Sequence, residues 1–243
     1  MKLPLEHNSP SASDDATQNA PAQVLSSQQL QDNPISDAEA ETFNPLDLDK
    51  DLRTLKIVDD DGECVGWFVR EAKLGNRTFK GAFIKANGTG KVPCVMKVFT
   101  PAEEDHLYYD GMVTRFECQE DMSIVMRESS YTPTLIASGH SKGGYSTPGG
   151  DVVLHALCPG KVMSDGFGNS LSIDSDHPLV NALRKAFQEI HDKGSIISGL
   201  QRRDILWDDE TQQLSIINLE DCYEFEGPPE IYANFEIQDL IIS

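Results

Sequence analysis

The stretch from Ile190 to Asp221, IHDKGSIISGLQRRDILWDDETQQLSIINLED, decides how the chain is read. It opens on the end of an amphipathic helix. In HPLVNALRKAFQEIHDKG, residues 177–194, Leu179, Leu183, Ala186, Phe187 and Ile190 fall on one helical face, Pro178 stands near the start, and Lys193-Gly194 marks the end. The short loop SIISGLQRR follows. DILWDDETQQLSIINLEDC then predicts a hairpin turning at Asp208-Asp209-Glu210-Thr211, where polar side chains that favour turns interrupt two apolar runs.

Working back towards the N-terminus, the texture becomes that of strands. GAFIKANGTGKVPCVMKVF, residues 81–99, predicts two strands joined by Asn87-Gly88-Thr89-Gly90. TPTLIASGH (132–140) and DVVLHALCPG (151–160) predict a further pair across a Gly- and Ser-rich loop. Between the pairs, DGMVTRFECQEDMSIVMRESS, residues 110–130, has no Gly or Pro after Gly111 and predicts the first helix. Strands and helices segregated in this way imply an α+β fold. Residues 1–45 are expected to be a disordered acidic tail: its first 42 residues have no aromatic side chain and are rich in Ser, Gln, Asn, Pro, Ala and Asp. Such a composition buries too little apolar surface to offset the entropy of ordering.

Composition narrows the function classes. The 243 residues carry 40 acidic and 20 basic side chains, a net charge of −20, which repels nucleic acid and anionic membranes as primary partners. No apolar run approaches the roughly 18 residues needed to span a bilayer, and MKLPLEHNSPSASDD lacks the pattern of a secretory signal. The expectation is an intracellular protein, cytoplasmic or nuclear. Cys64, Cys94, Cys118, Cys158 and Cys222 are widely spaced, with no CxxC pair, and are expected to be reduced thiols.

In order along the chain, these pieces resemble the protein-kinase-like superfamily, in texture the small fungal kinase-like proteins, over residues 74–222. That family follows a helix with the loop H-x-D-L-x-x-x-N and a hairpin leading to a D-F-G or D-F-E metal motif. Aligned on Leu200, the family His falls on Ile197, its catalytic Asp on Gly199, its loop Asn on Asp204 and its metal motif on Asn218-Leu219-Glu220. VPCVMKVF resembles the strand bearing the phosphate-anchoring Lys, which puts Lys97 in that role, and FECQED resembles the start of the helix whose Glu pairs with it, Glu117. LGNRTFKGAFIKA resembles the glycine-rich hairpin in Gly75, Phe79 and Gly81, although Arg77 interrupts the pattern, and VLHALCPG puts His155, Ala156 and Leu157 near an adenine site.

The resemblance implies a two-lobed protein-kinase-like fold with a truncated C-terminal lobe: 46–154 as the N-lobe and 155–243 as a short C-lobe with a degenerate catalytic loop. ATP and Mg²⁺ would be its cofactors, with Asp204 and Asn218 as a metal pair whose carboxylate and carboxamide have exchanged places. Asp204 would otherwise hold the loop backbone. Glu220 and Asp221 are surrogate carboxylates at most, and Arg202 and Arg203 form a local basic patch. The catalytic base is missing, because Gly199 has no side chain; losing such a group lowers a rate by ~10²–10⁴. The 25 residues after Asn218 are too few for the platform that docks protein substrates. The expected function is therefore a pseudokinase, a binding or regulatory domain for a protein partner with residual ATP binding. A weak, atypical phosphotransferase acting on a small molecule or on itself is the first alternative, and a nucleotide-free scaffold the second.

Overall fold

A computed structural model of the chain describes residues 42–100, 114–144, 146–163 and 176–224, with positions 237 and 240. The tail expected over residues 1–45 lies mostly outside them. From residue 42 the chain is placed on a barrel: Thr42 bridges Thr89, and Asn44 caps a one-turn helix, α1 (Pro45–Leu48), by accepting from the Leu46 N–H. Asp49 then accepts from the Trp67 indole N–H at 2.8 Å. Leu48, Trp67 and Ile84 form a small apolar cluster there.

The barrel has six antiparallel strands, β1 (Thr54–Val58), β2 (Cys64–Lys73), β3 (Thr78–Lys85), β4 (Lys91–Phe99), β5 (Leu135–Ser141) and β6 (Gly150–Ala156). Their order is β1-β2-β3-β4-β6-β5, and it closes where β5 meets β1. Period-two alternation sends Leu55, Ile57, Phe68, Phe79, Phe83, Cys94, Met96, Val98, Val152 and Leu154 into one core. The turn expected at residues 87–90 joins β3 to β4, with Gly88 and Gly90 at φ of 73° and 74° and the Asn87 side-chain Oδ1 accepting from the Thr89 N–H.

Helix α2 (Arg115–Val125) lies in the sequence between β4 and β5, and helix α3 (Pro178–Asp192) between β6 and the last strands. The face of α3 expected to be apolar is buried, joined by Val180. It shares a second core with Met122 and Met126 at the end of α2 and with Ile205, Trp207, Leu214, Ile216 and Leu219. Strand β7 (Lys161–Val162) pairs with β9 (Ile205–Asp208), which forms the expected hairpin with β10 (Gln213–Ile216). Asp208 accepts from the Glu210 and Thr211 N–H groups in its turn. Strand β8 (Ser195–Ile197) pairs with β11 (Cys222–Glu224), so the segment between them leaves and returns to one place.

This architecture corrects the expected fold. The described residues are mostly β, built around a closed six-stranded antiparallel barrel with few helices, not an α+β two-lobed kinase fold with a truncated C-terminal lobe. The boundary expected between residues 154 and 155 falls inside β6, whose Leu154 and His155 pair with both β4 and β5. The physical cause is the return of β5 to β1: alternation along each run predicts strands but carries no record of which free edges meet. No described helix is long and apolar enough to cross a membrane.

Candidate functional site

Lys97 lies on the outer face of β4, between the interior residues Met96 and Val98, and shares that face with Phe99 by strand alternation. Its ammonium sits 5.4 Å from the centre of the Phe99 ring and donates to Asn218 Oδ1 at 2.7 Å and to Glu220 Oε1 in a very short contact. Glu220 is buried. Its second oxygen, Oε2, has Arg77 Nη2 at 3.6 Å and Arg115 Nη1 at 4.0 Å, and Arg77 also stacks over Phe99. Three cations from the β2–β3 turn, from β4 and from the first turn of α2 thus converge on one carboxylate of the β10–β11 loop.

Burial pulls the Lys97 amine below its ordinary range, and the Glu220 charge works against that pull. Asp204 stands near enough for its charge to be felt at Lys97. Burial raises its carboxyl, partly offset by the hydrogen bond it accepts from the Gln201 N–H at 2.9 Å.

A neutral network runs beside the ionic one. The Leu219 N–H donates to Gln119 Oε1 at 3.0 Å, the Ser123 hydroxyl donates to the Gln119 backbone carbonyl at 2.5 Å, and Ser123 Oγ lies 2.8 Å from His155 Nε2. With the hydroxyl proton directed at the carbonyl, His155 Nε2 carries its own proton and donates to Ser123. Burial, and then the Lys97 charge, push His155 down to about 4, so the ring is neutral at physiological pH. Gln119 and Ser123 are fully buried on α2, so the two networks together fasten β4, β6, α2 and residues 218–220 to one another.

The expected site residues divide on this geometry. Lys97 and Asn218 are brought together, with Asp204 close by. Glu117 is not the partner of Lys97: its carboxylate accepts from the Thr114 N–H at 2.7 Å while Thr114 Oγ1 accepts from the Glu117 N–H, a capping box at the start of α2. Phe79 is fully buried in the barrel core. A Cβ on Gly81 would lie 2.2 Å from the Val69 carbonyl oxygen, so that glycine permits close packing of β2 on β3. Gly75 is exposed in the β2–β3 turn, Ala156 ends β6 with its N–H on the Thr134 carbonyl, and Leu157 is exposed beyond it.

Ile197 is buried in β8, and Gly199 is exposed at φ 64°. Arg202 donates to the Leu240 carbonyl at 2.7 Å, which gives half of the expected basic patch a structural use. Asp204 and Asn218 do not suit a metal: one caps the Gln201 backbone, the other's carbonyl holds an ammonium, and Mg²⁺ there would face the Lys97 charge. Among the described residues no group of three His, Cys, Asp or Glu side chains could hold a metal ion. Arg115, Gln119 and Ser123 went unnoticed in the sequence. The one signal for the last two was a pair of uncharged polar residues four apart on α2, which places them on one helical face.

No protein-family model matches this chain, and no curated protein sequence does.

Proposed function

We propose that this protein is a non-catalytic binding or regulatory domain acting on a protein partner. The observation that carries this reading is the use made of Lys97: its ammonium is held between Glu220 and Asn218 in a buried ionic cluster. A lysine bound in this way serves cohesion, and a phosphate would have to displace Glu220 to reach it. The absence of a carboxylate at Gly199 and the engagement of Asp204 and Asn218 elsewhere support the same reading, since phosphoryl transfer requires a positioned base and a metal.

The test is thermal unfolding with millimolar ATP, with and without Mg²⁺, on the parent protein and on Lys97→Ala, together with transfer of radiolabel from ATP. The expected result is no label transfer and no Mg²⁺-dependent rise in melting temperature. A rise abolished in Lys97→Ala would restore nucleotide binding to the function. Label transfer lost in the same variant would replace the proposal with an enzyme.

A further inference from the structure

The barrel closes at a thin seam. Strands β2 and β3 pair at seven positions from Gly66 to Lys73, with one register shift between Arg70 and Ala72, whereas β1 and β5 share one registered pair, Val58 with His140. The strands approach closely there: Gly139 has φ 146°, and a Cβ on it would lie 2.3 Å from the Val58 carbonyl oxygen.

The side chain of that one seam residue spans the closure. His140 Nδ1 meets Asp151 of β6 in a very short contact, and Nε2 meets Asp60 of the β1–β2 turn at 2.8 Å. A neutral imidazole has one N–H, so it can donate to only one of these carboxylates, and its other nitrogen would set a lone pair against the second. Only the imidazolium satisfies both.

The neighbouring groups leave these two carboxylates in control. Asp59 turns inward to its own turn, accepting from the Asp61 and Glu63 N–H groups. From α2, Glu120 bonds Ser138, and the residue facing the ring is Phe116, centroid to centroid 6.4 Å. The ionisable groups acting on His140 are Asp60 first and Asp151 second.

We propose that His140 is a pH-responsive clasp on the barrel seam, tying the β1–β2 turn to β6 when charged and releasing that turn when neutral. The two carboxylates raise the His140 pKa, so the clasp contributes fully below the ordinary histidine value of about 6.5 and is lost as pH rises through the higher folded value.

The experiment follows the His140 ring by ¹⁵N NMR across pH, and the exchange protection of the seam amides corrected for intrinsic rate, in the parent, Asp60→Asn and His140→Gln. Asp60 is 96% exposed, so its substitution leaves the core untouched. The expected result is a titration midpoint above the ordinary histidine value in the parent and lowered in Asp60→Asn. Seam protection should fall as the parent ring loses its proton, and be low and flat with pH in His140→Gln. An ordinary midpoint unmoved by Asp60→Asn, or the same protection profile in the parent and His140→Gln, overturns the proposal.

Discussion

Replacing Glu220 by Gln keeps the shape of the side chain and removes the one carboxylate shared by Arg77, Lys97 and Arg115. The Glu220 and Lys97 side chains are 7% and 15% exposed, so water cannot take the lost charge's place. Breaking a buried ion pair from one side costs about 3–5 kcal/mol. Lys97→Met is expected to cost less, about 1.5–3 kcal/mol, because Glu220 keeps the two guanidinium groups at 3.6 and 4.0 Å. The double variant leaves no unmatched Lys97–Glu220 partner and should fall short of the sum by about 2 kcal/mol or more. Urea unfolding at constant m-value measures all four corners of the cycle. If the two substitutions add to within about 0.5 kcal/mol, the pair does not couple and the cluster is not what holds residues 218–220 to the barrel. Glu117→Gln combined with Lys97→Met supplies the control, and those two should be additive, because Glu117 serves the helix cap.

Three further outcomes follow from the same geometry. His155, pushed down to about 4 by burial, binds a proton more readily unfolded than folded between about pH 6.5 and that value, so stability should fall by ~3 kcal/mol on acidification through this window; His155→Gln should flatten that part of the pH–stability curve. Thr114→Ala should cost about 1 kcal/mol by removing one half of the α2 capping box, read by thermal melting. Gly81→Ala should destabilise by about 1–3 kcal/mol, since its Cβ would press on the Val69 carbonyl and the Phe68 ring, whereas Gly75→Ala, whose Cβ would meet only Thr78 at an ordinary 3.8 Å, should stay within about 0.5 kcal/mol.

Local elements were legible in the sequence to the extent that their physics is local. The apolar face of α3, the turn at Asn87–Gly90 and the hairpin turning at Asp208 each depend on residues within one or two turns of chain, and each is where periodicity and turn chemistry put it. Closure of the barrel was not legible, because it depends on Val58 meeting His140, 82 positions further along the chain, rather than on any pattern in either strand. The site divides in the same way. Lys97 stood out as a charge on an apolar strand face. Its partner did not: a glutamate in FECQED and one in NLED are equally good candidates by composition, and only the capping demand of α2 on Glu117 leaves Glu220 to Lys97.

The ionic cluster also bears on how the molecule comes apart in time. Most barrel hairpins join strands adjacent in the chain, but Lys97 and Glu220 are 123 positions apart. A contact of such long range carries a large loop-closure cost and belongs late on the folding route, after the hairpins have formed. Interactions absent from the transition state act on the rate of escape from the native state. Glu220 therefore governs the lifetime of the folded protein: in Glu220→Gln the unfolding limb of the chevron should rise while the refolding limb stays close to that of the parent.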